Sequence, residues 1–343
     1  MAGTMTDSGN KLGVGVIGLG VGEQHALAYA GQDGCDLRWL FDISEEQARA
    51  VQGRVGMGDI AESFEQILDD GETGLVSIAS FDHLHFEEVK AAFGAGKNVF
   101  VEKPLCRTNE ELVALKQAWE SAGKPYLQSN LVLRQAPVYR WLNQALIEGR
   151  LGKVYSFDGD YLYGRVEKIT EGWRKDVPDY SVMEGGGVHL IDLMLWLLGE
   201  RPALVTTHGN RIATEGTDFR YNDFMASTFE FPSGVIGRIT ANFGPMHRHH
   251  HVLRVFGTEA TFIYDDQGPR LHKTRDEDGL AEKLDLETLP AHKGVLIPEF
   301  VDNILKGSDS EAPAKREFDL ISVIAAADEA LDPPGPVEIG YVT

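Results

Sequence analysis

The chain has 343 residues, of which 43% are hydrophobic and 25% charged. That is the composition of a globular protein with more than one domain. A net charge of -21 argues against a nucleic-acid partner, which needs a basic surface, and against an anionic membrane. No run of about 18 uncharged apolar residues reads as a transmembrane helix.

Residues 1–11 are polar and small and lack the basic start and apolar run of a secretory signal, so they read as a disordered tail. Val14–Leu19 is a buried strand by composition, followed by a helix with Ala26, Leu27 and Ala30 on one face. Leu37–Phe41 is the next strand, and Ser44 with Gln47 forms a capping box that opens a helix. Leu75–Ala79 (strand), Phe86–Phe93 (helix) and Asn98–Val101 (strand) follow. Thr108 with Glu111 opens a further helix that ends near Gly123. Strands alternating with helices predict a parallel sheet with crossover helices.

The pattern changes after residue 125. Tyr126–Leu133 reads as a strand, and Pro137 starts a helix that runs to Glu148. Strands are predicted at Val154–Tyr161, Leu204–Gly209, Phe224–Phe231, Val235–Asn242, His251–Phe256 and Ala260–Tyr264. Pro232-Ser233-Gly234 turns one hairpin. The apolar helix Val188–Leu198 interrupts the strands, residues 275–290 read as a charged surface excursion, and helices near Pro298–Lys306 and Phe318–Leu331 close the chain. The predicted class is α/β: a dinucleotide-binding domain over 12–125, then an α+β domain over 126–343 with a large open, mostly antiparallel sheet.

Gly18, Gly20, Val21 and Gly22 lie between the first strand and the first helix. Glycines there permit a tight turn and let a pyrophosphate approach bare backbone at a helix N-terminus. The third glycine arrives one residue earlier than in the usual G-x-G-x-x-G spacing. Asp42 ends the second strand, about 20 residues on, where a carboxylate accepts both ribose hydroxyls of an adenosine. No Arg or Lys follows Asp42 directly. The pattern favours NAD over NADP.

Gly96-Lys97-Asn98-Val99-Phe100-Val101-Glu102-Lys103-Pro104 resembles the G-K-H-V-x-x-E-K-P segment of the glucose–fructose oxidoreductase and inositol dehydrogenase (GFO/IDH/MocA) family. Ala79-Ser80-Phe81-Asp82-His83-Leu84-His85 is similar to its A-T-P-N-x-x-H, and Gly187-Val188-His189-Leu190-Ile191-Asp192 to its G-x-H-x-x-D. Gly335–Ile339 resembles its final strand.

The resemblance implies a nicotinamide-dependent oxidoreductase with a Rossmann domain, acting on a secondary hydroxyl or keto group of a sugar, cyclitol or sugar derivative. It assigns Lys103 to cofactor and substrate, and His189 to general acid/base work. Ser80, His85 and Glu102 fall in its cofactor-binding segments. Asp192 shares a helical face with His189 and either orients the imidazole or bonds backbone. Many members carry an Asp four residues before the histidine. Gly185 holds that place here, which leaves Glu184, Asp179 or Asp192 as substitutes, or Lys103 and His189 acting without one.

Arg134, Trp173 and Arg174 are further substrate-binding candidates, since Arg pairs with carboxylate or phosphate and Trp stacks on sugar faces. Together they would suit an acidic sugar or a sugar nucleotide. His247-Arg248-His249-His250-His251 invites a metal reading, but no Cys or carboxylate joins it locally, and no metal is expected. Two alternatives stand beside the dehydrogenase: a glycosidase or lyase that recycles NAD, and a non-catalytic sensor of NAD or metabolites. Cys35 and Cys106 are the only cysteines, which suggests no disulfide framework and fits a reducing cytoplasm. An open sheet needs cover, so a homodimer or homotetramer is expected.

Overall fold

The computed structural model describes residues 11–342. Apart from Lys11, the tail expected over residues 1–11 lies outside them. Contacts group the chain into two compact units. The first runs to Cys106 and continues through Glu110–Val132 and Ala291–Glu317; the second comprises Arg107–Asn109, Leu133–Pro290 and the chain from Phe318. A single cut at 125/126 therefore differs from the division found. Residues 126–132 extend the first sheet, and a later helix returns to the first core.

In chain order the first unit has β1 (Leu12–Ile17), α1 (Gly22–Ala30), β2 (Cys35–Phe41), α2 (Glu45–Val55), β3 (Asp59–Ile60), α3 (Phe64–Asp69), β4 (Thr73–Ile78), α4 (His85–Gly94), β5 (Asn98–Val101), α5 (Asn109–Ser121) and β6 (Leu127–Ser129). The sheet order is β3-β2-β1-β4-β5-β6, and every pair is parallel. Parallel strands are covered on both faces and read as apolar runs, as Val14–Ile17 does and as Leu75–Ile78 does apart from the buried Ser77.

Register fixes the site. Ile17 pairs with Phe41 and with Ile78, Ile78 with Val101, and Val101 with Ser129. The residues that follow, Gly18, Asp42, Ala79, Glu102 and Asn130, therefore line up along the carboxyl edge of the sheet. Four backbone bonds lock the row: Gly18 N–H to Phe41 O (2.9 Å), Ala79 N–H to Ile17 O (2.8 Å), Glu102 N–H to Ile78 O (2.7 Å) and Asn130 N–H to Val101 O (2.8 Å). The strand order reverses between β1 and β4, the place where open α/β sheets bind ligands.

The rest of the chain forms α6 (Pro137–Ile147), β7 (Val154–Leu162), α7 (Glu167–Thr170), α8 (Val188–Leu198), β8 (Leu204–Asn210), β9 (Phe224–Glu230), β10 (Ile236–Asn242), β11 (His250–Gly257), β12 (Thr261–Asp265), β13 (Gly268–His272), β14 (Glu282–Lys283), α9 (Ile297–Lys306), α10 (Glu311–Glu329) and β15 (Val337–Glu338). The second sheet has nine strands in the order β14-β13-β12-β11-β7-β10-β9-β8-β15. Its pairs are antiparallel except β7 with β10. Helix α8 lies on this sheet where glycines let it approach. A Cβ at Gly159 would stand 3.2 Å from the Leu190 side chain, and one at Gly237 would stand 2.4 Å from Met194 sulfur.

Several elements differ from expectation. The strand expected over 126–133 shortens to β6 and passes into a 3-10 turn at Val132–Gln135. Trp173 and Arg174 lie in a 3-10 turn, Trp173–Asp176, rather than in a loop. Helix α10 begins at Glu311, earlier than expected, since the exposed Glu311, Lys315 and Arg316 and the buried but charged Glu317 mask the periodicity of its first turns. On α1 the buried face is His25, Ala26 and Tyr29, while Leu27 is exposed.

Candidate active site

The glycine turn of the first unit uses each glycine differently. Gly18 has φ +76°, and a Cβ there would lie 2.5 Å from the backbone of Ala79 and Ser80, so only glycine fits. Nothing lies within 4 Å of a Cβ built at Gly20, which leaves that backbone bare. A Cβ at Gly22 would meet Val16 at 3.2 Å and Ala79 at 3.3 Å, so its absence lets α1 pack against β1 and β4. Despite the shifted spacing, these are the tight turn, the close approach and the helix packing that dinucleotide binding asks of three glycines. Val21, 41% exposed, precedes α1 and no side chain caps the helix there.

Asp42 holds this turn from β2. Its Oδ2 accepts the Leu19 N–H at 2.7 Å and its Oδ1 accepts the Ser44 N–H at 2.9 Å. Gln47 does not close the expected capping box. Ser44 Oγ accepts the Gln47 N–H at 3.3 Å, while the Gln47 side-chain amide donates to Leu19 O at 2.9 Å. Leu19 is thus tied through both its N–H and its C=O, and each Asp42 oxygen keeps a lone pair for a further donor.

Glu102 and Lys103 follow β5, and the Lys103–Pro104 bond is cis. Glu102 Oε1 accepts from the Asn130 amide nitrogen at 2.7 Å and lies 3.3 Å from His25 Nε2. The second hydrogen of that amide goes to Lys293 O at 2.9 Å. The amide has none left for His25, so the His25 Nε2 hydrogen points to Glu102 and His25 Nδ1 meets Ser77 Oγ at 3.0 Å. Burial would raise the Glu102 carboxyl. The hydrogen bond and charge of His25, the Asn130 amide and the Lys103 ammonium outweigh it and hold the carboxyl down to about 2.

His85 is fully buried. Its Nδ1 donates to Pro104 O at 2.7 Å and its Nε2 faces Ser80 O at 3.3 Å. It braces the turn that carries Lys103. Ser80 Oγ donates to the Glu88 carboxylate. Lys97 of the same motif is also structural: its ammonium is buried against Asp70 O and Thr73 O, each at 2.8 Å, and burial lowers its pKa.

In the second unit, the π-helical turn Met183–Gly187 runs directly into α8, whose second residue is His189. The His189 ring stacks on Tyr161 (6.2 Å, 22°) and meets His251 edge-on (6.0 Å, 85°). Tyr163 and His249 extend this aromatic cluster. His249 and His251 flank His250 and join the cluster, whereas His250 lies against His247 and Tyr264. His247 pairs with Asp266 at 3.0 Å.

Asp192, 1% exposed, is gripped by Arg134: Nε lies 3.1 and 2.8 Å from its two oxygens and Nη2 bonds Oδ1. Glu184 accepts from Arg107 Nε at 3.0 Å, and Arg107 Nη2 also donates to Pro178 O and Asp179 O. Arg174 stacks on Trp173, 4.4 Å from ring centre to guanidinium carbon.

Two family models match the chain. Residues 12–130 match the model for the oxidoreductase family with an NAD-binding Rossmann fold, and residues 139–263 match the GFO/IDH/MocA C-terminal domain. The chain belongs to the GFO/IDH/MocA oxidoreductase family. Its first unit is therefore an NAD-binding domain.

Among similar family members is a levoglucosan dehydrogenase of Pseudarthrobacter phenanthrenivorans, 27% identical over 78% of this chain and 75% of that protein. Inositol 2-dehydrogenase 2 of Saccharopolyspora erythraea is 28% identical over 66% of this chain and 65% of its own length, a little under two thirds. A 2,7-anhydro-N-acetylneuraminate hydratase of Escherichia coli is 25% identical over 92% of this chain and 93% of that protein. A levoglucosan dehydrogenase solved with NADH and levoglucosan has the same fold (TM-score 0.82, 22% identity, 96% of this chain and 99% of that one).

Of the groups now seen around the family motifs, the sequence reading missed His25, Asn130 and Tyr161. His25 was signalled by its spacing, since Gly22, His25, Ala26 and Tyr29 recur at helical intervals and all are buried. Tyr161 lies in the alternating strand β7 beside Gly186, and nothing in the sequence pairs the two.

Proposed function

We propose that this chain is an NAD-dependent oxidoreductase that transfers a hydride between the nicotinamide and a secondary hydroxyl or keto group of a sugar, cyclitol or sugar derivative. The observation that carries it is the row at the end of the first sheet: an open Gly20, an Asp42 fixed by Leu19, and Lys103 directly after the braced Glu102. The Asp42 carboxylate suits two ribose hydroxyls and repels a 2′-phosphate, which favours NAD over NADP. Gly18, Gly20, Val21 and Gly22 hold the pyrophosphate, Ser80 and Glu102 shape the nicotinamide end, and His85 acts through the Lys103 turn. When bound, NAD supplies the hydride acceptor.

Lys103 stabilises negative charge on the reacting oxygen, and His189 carries the proton. Arg134, Trp173, Arg174 and Asp192 shape the substrate pocket. The Arg134 charge is already balanced by Asp192, which favours a neutral polyol over the acidic sugar or sugar nucleotide expected at first. We read the protein as a cytoplasmic homodimer or homotetramer, with its two buried cysteines kept as thiols.

The test is analysis of the cofactor that co-purifies, followed by a panel including levoglucosan and myo-inositol read at the NADH absorbance band. NADH formation supports the dehydrogenase. The hydratase relative supports a second reading, in which the cofactor is recycled. Substrate loss without net NADH would select it. No turnover and no NAD binding would overturn both.

A further inference from the structure

Position 185 has no side chain, yet its place is filled. An ideal Cβ on Gly185 would stand 2.1 Å from the Tyr180 hydroxyl oxygen, 3.0 Å from Tyr180 Cζ and 3.4 Å from Phe243 Cζ. The next residue repeats the device: a Cβ on Gly186 would stand 2.2 Å from Tyr161 Cε1. Two tyrosines thus press into the π-turn through two consecutive glycines, and that turn continues into α8. Residue 185 lies one turn ahead of His189, where side chains share a face.

The same cluster reaches His189 from the other side. Tyr180 meets Phe243 edge-on at 6.5 Å, Phe243 lies 5.7 Å from Tyr161, and Tyr161 stacks on His189. Tyr180 is 4% exposed, and a buried phenol needs a polar partner for its hydroxyl. Of the three acidic candidates, Glu184 is bound to Arg107, Asp192 is bound to Arg134, and Asp179 is exposed.

We propose that Tyr180 is the positioning residue for His189, its hydroxyl standing in for the side chain that position 185 lacks. The phenol orients the imidazole and biases its tautomer. Both depend on a neutral donor–acceptor rather than on a carboxylate. The inference rests on the reading of His189 as the acid/base group.

The test is side-chain nitrogen NMR of the histidines in the full-length protein, with the His189 signal assigned by its loss in His189→Gln. In Tyr180→Phe the His189 titration midpoint moves by at least about half a pH unit and its tautomer balance changes. With whichever panel sugar turns over, kcat falls by about tenfold or more, KM changes little, and the limb of the pH profile that His189 sets moves with it.

A second variant guards against misfolding. Gly185→Asp alone collides with the phenol and loses activity, whereas Tyr180→Ala with Gly185→Asp has room for the carboxylate and exceeds Tyr180→Ala in activity. A His189 signal and pH profile unchanged in Tyr180→Phe would overturn the inference. So would a double variant no better than Tyr180→Ala, should Tyr180→Phe fail to fold. Full activity in His189→Gln would instead remove the acid/base reading, and the NMR result would stand apart from it.

Discussion

Arg134 holds both oxygens of Asp192, with Nε at 3.1 and 2.8 Å, and the carboxylate is 1% exposed. A pair of this kind contributes little over an apolar pair of the same shape, but breaking it strands a buried charge. Arg134→Ala should therefore lower stability by about 3–5 kcal/mol in urea unfolding. Arg134→Met with Asp192→Leu should recover most of that loss. A loss below about 1 kcal/mol in the single variant would show that the charge finds water instead.

Glu102 gives a pH dependence with a definite sign. Its folded-state carboxyl titrates at about 2, below an ordinary value of 4.5. Its contribution is thus complete above the unfolded value and is lost as pH falls from about 5 towards 2. The difference corresponds to roughly 3 kcal/mol. Glu102→Gln should be less stable than the parent at pH 7 by that order, and the gap should close in acid. Parallel stability curves from pH 7 to 3 would refute the coupling to His25 and Lys103.

The glycine turn separates folding from binding. Gly18→Ala forces a left-handed residue and a Cβ 2.5 Å from backbone, so it should cost about 2–4 kcal/mol in a denaturant melt. Gly20→Ala has open space and should fold within about 1 kcal/mol of the parent. Its methyl nonetheless stands on the cofactor approach, and NADH affinity by fluorescence titration should drop at least about tenfold.

Asp42→Ala removes an acceptor from two backbone N–H groups as well as from the ribose. NADH should bind about tenfold or more weakly, and the preference over NADPH should narrow. An unchanged ratio of the two affinities would mean that selectivity lies elsewhere.

Lys103→Met keeps the length of the side chain and removes its charge. Turnover should fall by about 100- to 1,000-fold, with the thermal midpoint within a few degrees of the parent. Wild-type turnover would rule Lys103 out of the chemistry.

The first unit was readable because its signals are local. Val14–Ile17 is an apolar run, Leu75–Ile78 is one interrupted by Ser77 alone, and Asp42 stands at a fixed place after the second strand. The short elements β3 and α3 were missed, since two and six residues carry too little periodicity. The helix face of α1 was misread because Leu27 is the more apolar residue, yet His25 is the one that faces Ser77, Glu102 and Asn130. Those partners lie 52, 77 and 105 positions away along the chain, and only the sheet register joins them. Tyr180 was invisible for the same reason: its meaning comes from the empty side of Gly185, which no spacing rule reports.

The return of α9 to the first unit has a consequence for how the protein is made. Leu296, Ile297, Phe300 and Val301 sit in the same core as Val14, Tyr29 and Phe100, with Phe300 and Phe100 ring centres 5.3 Å apart. At roughly 1.5–3 kcal/mol for each buried side chain, these four supply on the order of the whole stability of a domain. A ribosome that has delivered residues up to Val132 has delivered every strand of the first sheet but not its last wall. The nucleotide-binding unit must wait, with one flank open, until every strand of the second sheet but β15 has been synthesised. A fragment ending at Val132 should therefore aggregate, and adding residues 291–317 as a separate peptide should protect it.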